Sequence, residues 1–437
     1  MGDFIHLAKT IMKLFLFLSV FSALAFAAES TLNTGDTAWV LAAAALVMIM
    51  TPGLGFFYAG MVHNKNLLSL LMHSFVILCL ASLLWVVVGY SLAFSPNGGL
   101  VGTLDWAFLN GVGLEPYEKY VATIPHLAFM IFQAKFAVIT PALIVGAFVG
   151  RFRFSAFVIF VILWSLLIYY PVAHWVWGIG GWLRDLGVLD FAGGTVVHIT
   201  AGVSALACAW LIGRRKDFQS GDDRPSNVPL VVLGTALLWF GWFGFNAGSA
   251  LGAGGLAASA FVVTNTAAAT AALTWMALTW IINRKPSLIG MCIGAVVGLV
   301  AITPASGFVD NTAAIIIGLV AGVASYLVVS WRIRSHIDDT LDVFACHGVG
   351  GITGAVLTGV FASTLINPAG ANGLLMGNAE QVWKQVIAVV AVALYSFLMT
   401  SIILKVIGAI MEIREKEEHE EIGLDLAQLG EKAYSIP

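Results

Sequence analysis

Residues 67–94 read LLSLLMHSFVILCLASLLWVVVGYSLAF, without one Asp, Glu, Lys or Arg. As a helix this run rises about 42 Å, more than the ~30 Å of bilayer hydrocarbon. Residues 37–59 form a second uncharged apolar run, and similar runs recur along the 437-residue chain. Hydrophobic residues make up 59% of the sequence and charged residues 10%, with a mean hydropathy of +0.93. A soluble domain carries about a quarter charged residues, so a water-soluble fold is excluded. The pattern is that of an all-α polytopic membrane protein embedded in a lipid bilayer. The formal charge of −3 is balanced and dispersed, so no surface for nucleic acid is expected.

Eleven spans are predicted, beginning near Thr37, Asn66, His126, Ser155, Gly194, Val228, Ala258, Leu288, Asn311, Val343 and Gln381. Before them, Lys13, the apolar run 14–26 and Ala25-Phe26-Ala27 have the order of a secretory signal peptide, placed at residues 1–27. The membrane domain then covers 28–410 and a charged tail covers 411–437. An odd number of spans puts the two ends on opposite sides. Lys65, Arg151, Arg153, Arg214, Arg215, Lys216, Arg224, Arg284, Lys285, Arg332 and Arg334 fall in alternate loops, on the side that also carries the tail with Arg414, Lys416 and Lys432. The other side has Lys119, Arg184 and Lys384. The positive-inside rule therefore predicts a cytoplasmic tail, an external mature N-terminus and residence in the cytoplasmic membrane.

An internal echo suggests how the spans are arranged. Phe57-Tyr58-Ala59-Gly60 in the first span resembles Phe245-Asn246-Ala247-Gly248 in the sixth; His198 and Gly202 in the fifth match His347 and Gly351 in the tenth. Helices 1–5 and 6–10 then form a 5+5 inverted repeat with one extra helix, and such repeats place substrate paths at their interface. His198 and His347 lie deep in apolar helices, where an ionisable group is costly and by default functional. Facing each other, two neutral imidazoles share a ring proton and offer a lone pair or an N–H to a passing molecule; the alternatives are packing and axial ligation of a haem. No CxxCH accompanies them, and Cys79, Cys208, Cys292 and Cys346 form no CxxC, so no cofactor, metal site or disulfide framework is expected. Trp177 near a helix end reads as an interfacial aromatic or as a face for a desolvated cation. Phe132 and Phe136 share a helix face at i, i+4, and Asp190 precedes the fifth span, where it can cap the helix.

The stretches Asp190-Phe191-Ala192-Gly193-Gly194-Thr195-Val196-Val197-His198, Gly241-Trp242-Phe243-Gly244-Phe245-Asn246-Ala247-Gly248-Ser249 and Asp342-Val343-Phe344-Ala345-Cys346-His347-Gly348 resemble the ammonium transporter (Amt/Mep/Rh) family, on the Amt branch. The resemblance runs from the first helix to the tail. It implies a homotrimer of eleven-helix protomers, each with its own pore for ammonium or ammonia, and no enzymatic activity. It implies that Phe132, Trp177 and Ser249 form the outer ammonium site, that Phe136 and Phe245 gate the pore beneath it, and that His198 and His347 line the pore with Trp242 nearby. Asp190 would support the outer site from behind. Two other readings stay open: an electroneutral Rh-like ammonia channel, and an ammonium sensor that hardly conducts.

Three positions depart from the family's pattern. Lys135 stands where family members carry a neutral residue, and if it faced the vestibule it would repel ammonium. Gly150-Arg151 replaces a common Glu-Arg and removes a local ion pair, with little functional effect expected. The tail resembles the family's cytoplasmic motif on which PII-type regulators act, but Leu429 replaces a histidine often found there.

Overall fold

The computed structural model describes residues 12–13, 32–96, 98–216, 218 and 225–434. The predicted signal segment lies outside the described residues apart from Met12 and Lys13, as does Arg224. The fold is all-helical; among the described residues the only β-pairing is two isolated bridges, Tyr117 with Val121 and Phe152 with Arg414.

Among the described residues, ten helices are long and apolar enough to cross a bilayer. They are α1 (Thr34–Met61), α2 (Asn64–Phe94), α3 (His126–Ala147), α4, α5 (Gly194–Ile212), α6 (Val228–Gly248), α7 (Gly255–Asn283), α9 (Asn311–Arg334), α10 (Phe344–Phe361) and α11 (Glu380–Ile410). The helical stretch of α4 runs through Phe154–Trp164 and Tyr170–Trp177, joined by a wider, π-type turn at Ser165–Tyr169. The predicted span near Leu288 forms α8 (Leu288–Ile302), but its 15 residues rise about 22 Å, less than the hydrocarbon thickness. Among the described residues the eleven predicted segments correspond to ten helices of span length and one shorter apolar helix. Composition cannot separate the two, because a buried core helix and a span are equally apolar. α8 is mostly buried, and Pro304, with no N–H to continue the ladder, stands just past its end.

Side chains cap the helices where loops meet them. Asn33 accepts from Asp36 N at the start of α1, Asn227 from Leu230 N at α6, Ser287 from Gly290 N at α8 and Asp310 from Ala313 N at α9. α1 packs along α6, and α5 meets α10, so the helices that the internal echo equates are neighbours. Small residues permit these crossings. A Cβ on Gly234 of α6 would lie 2.3 Å from Phe57 N of α1, and one on Gly202 of α5 would lie 2.1 Å from Gly348 N of α10. Lipid offers no hydrophobic drive for helix association, so close backbone contact must supply it.

Beyond α11 the chain folds back across one face of the bundle. Arg153 N donates to Ile413 O and Glu415 N to Arg151 O, pairing the tail with the α3–α4 loop. A short helix, Glu417–Ile422, and a turn at Asp425–Leu429 follow. Asp425 accepts from Leu68 N and Ser69 N at 2.9 and 2.7 Å, capping the first turn of α2, and Asn66 Oδ1 accepts from Leu424 N. Gly150 matters here: its φ is +74° and a Cβ would stand 2.7 Å from Asn66 Nδ2. A larger residue at 150 would displace the side chain that holds Leu424. This face is called the tail side below, and the opposite one the far side.

Candidate functional site

Two helix C-termini, those of α4 at Trp177 and α6 at Gly248, end on the far side around a cavity of about 230 Å³. Its lining includes Phe129, Gln133, Phe136, Trp177, Arg184 and Ser249. Helix C-termini carry partial negative charge from unpaired carbonyls, which favours a cation between them. The Trp177 indole is fixed by a 2.9 Å bond from its Nε1 to the Asp190 carbonyl. The Asp190 carboxylate points away: it accepts from Gly193 N and Gly194 N at 2.7 and 2.6 Å, from Thr195 N at 2.8 Å, and from the Thr195 hydroxyl. With these partners Asp190 caps α5 and holds Trp177 in place through its backbone. The Ser249 hydroxyl donates to Phe245 O at 2.9 Å, leaving its oxygen lone pairs toward the cavity.

Of the three residues grouped by sequence at this outer position, the structure brings Trp177 and Ser249 to the cavity. Phe132 is fully buried and is not among its lining; its ring meets Phe136 edge-on at 5.0 Å and packs against Gly248. Lys135, half-buried on α3, also lies outside the lining. Gln133 was not anticipated: it follows Phe132 on α3 and faces the cavity, with an oxygen that has no hydrogen-bond partner. A glutamine one residue from an aromatic carries no spacing signal, so only the fold reveals it.

Beneath the cavity two rings close the way. Phe136 and Phe245 lie with centroids 4.5 Å apart, both buried, and Phe136 meets Trp177 edge-on at 5.8 Å. Past them is a narrow chamber, about 10 Å³, lined by Met50, Leu54, Ile139, Leu143, Trp242 and the two histidines, among others. That volume is near the least a single water needs. His198 and His347 face each other with ring centroids 5.3 Å apart and Nδ1···Nδ1 3.3 Å. Each lies in a π-type turn at the start of its helix, Gly194–Ile199 and Phe344–Val349. Such turns change which side chains face inward and recur at functional sites. His198 stacks on Trp242 at 5.4 Å, and Trp242 is held by a 2.9 Å bond from its Nε1 to Thr303 Oγ1.

The tautomers follow from the shared Nδ1 contact. Between neutral rings one Nδ1–H donates and the other Nδ1 accepts, so one Nε2 carries a lone pair and the other an N–H. The pair therefore presents one acceptor and one donor to anything in the chamber. His198 Nε2 has no partner, a costly state for a buried nitrogen.

The tail side is built differently. Arg151, completely buried, donates to Ala147 O, Asp338 O and Thr340 Oγ1 at 2.6–2.9 Å and lies 3.7 Å from the Asp338 carboxylate, which Arg215 also engages at 2.9 Å. Burial opposes ionisation of Asp338, yet Arg151 and Arg215 together hold its carboxyl below the ordinary range. Neighbouring Asp339 makes no ion pair among the described residues; burial and then the charge of Asp342 raise its pKa to about 7. Arg332 grips Asp342 at 2.6 and 2.9 Å, and Arg414 grips Glu420 likewise.

Comparison with known proteins agrees with this architecture. Residues 38–434 match the model of the Ammonium Transporter Family. The chain is 50% identical over 404 residues to the ammonium transporter of Bacillus subtilis (strain 168), covering 92% of this chain and 99% of that one. It is 47% identical to ammonium transporter Amt1 of Archaeoglobus fulgidus, covering 92% and 100%. Among solved structures it matches Candida albicans Mep2 with a TM-score of 0.85 at 39% identity, covering 92% of this chain and 91% of that one. A structure described as a sensor Amt protein matches at 0.83 and 30% identity, covering 90% and 98%. With helices, motifs and relatives in agreement from α1 to the tail, the chain belongs to the Ammonium Transporter Family, a family of transporters rather than enzymes.

Proposed function

We propose that this chain carries ammonium selectively across the cytoplasmic membrane, with its tail side in the cytoplasm. The single observation that carries the reading is the imidazole pair, Nδ1···Nδ1 3.3 Å, in an apolar chamber closed by two phenyl rings. A bare cation entering such a chamber loses hydration worth on the order of 20 kcal/mol in the idealised Born limit, which two neutral rings do not replace. Ammonium escapes that cost by passing a proton to water in the far-side cavity and entering as ammonia; the proton following separately along the His198–His347 pair makes the transport carry net charge, and potassium has no proton to give up. Trp177 and Ser249, between two helix C-termini, hold ammonium on the far side; the ring of Phe132 backs Phe136. Phe136 and Phe245 part to admit ammonia. The His198–His347 pair then receives it as both donor and acceptor, which suits a molecule with three N–H groups and one lone pair.

Assembly as a homotrimer accords with the large apolar side chains exposed on α1 and α6, including Leu41, Met48 and Phe240. The tail, docked on α2 and the α3–α4 loop, is the surface for a PII-type regulator in this reading. The sensor reading gains support from the matched sensor structure and from the closed rings above the chamber.

Proteoliposomes on a solid-supported membrane decide between them. A saturable current on ammonium pulses, with no response to matched potassium pulses, is the expected result. Ammonium binding without current or flux moves the chain to the sensor class, and flux without current makes it an electroneutral ammonia channel. Potassium current equal to ammonium current removes the reading altogether.

A further inference from the structure

Arg184 is the one charged side chain in the lining of the far-side cavity, where the reading above places a cation. It sits on the short helix Trp182–Leu186, anchored by the buried side chain of Leu183 and ended by Gly187 at φ +86°. The guanidinium is held from two sides. Its Nη1 donates to the Trp177 carbonyl at 2.8 Å, and its central carbon lies 5.7 Å from the centroid of the Tyr120 ring. Tyr120 is itself fixed, donating to Phe94 O at 2.6 Å and accepting from Ile179 N at 3.0 Å. None of the ion pairs among the described residues involves Arg184, although Arg332, Arg414 and Arg153 each have a carboxylate. Asp185, next in the same helix, makes no ion pair with it, and the Asp190 carboxylate is turned inward onto the start of α5.

We infer that Arg184 tunes ammonium recruitment: its uncompensated positive charge on the rim weakens cation binding in the far-side cavity and sets a higher working concentration. The inference rests on the proposed transport function. A fixed unit charge about 7 Å from a bound cation in water-like surroundings changes the binding constant about threefold. The effect is screened as the Debye length falls from ~30 Å at 0.01 M salt to ~3 Å at 1 M. Arg184 also pairs with the Trp177 carbonyl at the end of α4, which offsets part of the negative charge of that helix terminus, so this contact and the rim charge act in the same direction. It is a residue that sets affinity, not one that handles the proton.

The test compares native protein with Arg184→Gln and Arg184→Lys in proteoliposomes at low and high sodium chloride. Glutamine keeps a donor for the Trp177 carbonyl and removes the charge; lysine keeps the charge. The half-saturating ammonium concentration is expected to fall about threefold in Arg184→Gln at about 0.01 M salt, to converge with native at about 1 M, and to stay near native in Arg184→Lys. An unchanged or higher value in Arg184→Gln, or equal effects of both substitutions, overturns the inference and leaves Arg184 as a brace for Trp177. If the native protein shows no ammonium-specific flux, the transport reading fails, and the same comparison is made on the ammonium concentration that half-maximally raises Tm. A left shift in Arg184→Gln supports the rim charge there, and no shift overturns it.

Discussion

The chamber at the centre of the bundle and the polar network on the tail side bury ionisable groups in opposite ways. On the tail side Arg151, Arg332 and Arg414 each find a carboxylate, and Arg151 also fills three further acceptors. In the chamber two imidazoles have only each other, with His198 Nε2 left open. On the tail side opposite charges hold loops and tail in one arrangement even though Arg151 Nε and Asp339 Oδ1 lack partners, whereas no Asp, Glu, Lys or Arg among the described residues lines the chamber to compensate a charge there. Burial differs as well: the tail-side pairs at Arg332 and Arg414 are partly exposed, whereas both chamber histidines are buried.

The sharpest way to break the comparison is to remove one member of each. His198→Ala takes away half of the donor–acceptor pair and is expected to abolish ammonium flux or its discrimination against potassium, while the tail network and Tm are little changed. Native transport and selectivity in that variant would remove the histidines from the conduction path. Asp338→Ala should do the reverse. It leaves Arg151 and Arg215 facing each other without their shared carboxylate, a loss of about 3–5 kcal/mol for a broken buried pair. Thermal unfolding in detergent and the yield of monodisperse protein read that loss, and a Tm within a degree of native would show that the network carries no stability.

Smaller changes sharpen the contrast. Phe245→Ala removes one of the two rings over the chamber, and the expected outcome is a several-fold change in ammonium rate or half-saturation with the fold intact; identical kinetics would place the barrier elsewhere. The smallest effect is expected at Asp339. Its carboxyl is raised to about 7 in the folded protein against about 4 unfolded, so the buried charge costs stability increasingly as pH rises through that interval. Asp339→Asn should therefore raise Tm modestly at pH 8, with the gain shrinking toward pH 5. An equal gain at both values would mean that the ionised carboxylate is not the source.

Much of this was legible from residue order alone. The apolar run at 67–94 announces a membrane helix, and the spacing of His198–Gly202 with His347–Gly351 already pairs α5 with α10; the structure adds that Gly202 lies against Gly348. The glycine at 150 reads in sequence as a lost ion pair. In the fold Arg151 pairs instead with Asp338, far along the chain, and the vacated space lets Asn66 hold the tail. Phe132 and Phe136 share a helix face by periodicity, yet one is packed behind the other and only Phe136 reaches the cavity.

Hydrophobicity and helical period are properties of neighbouring residues, so the chain by itself determined that this is a helical membrane protein, where most spans lie and which motifs set its family. The depth of a side chain, the partner of a buried charge and the lining of a cavity depend on helices that meet only after folding. For that reason tertiary structure decided that α8 is only 15 residues long, that Gln133 and Arg184 join Trp177 at the far-side cavity, and that His198 and His347 meet through Nδ1 with His198 Nε2 left without a partner.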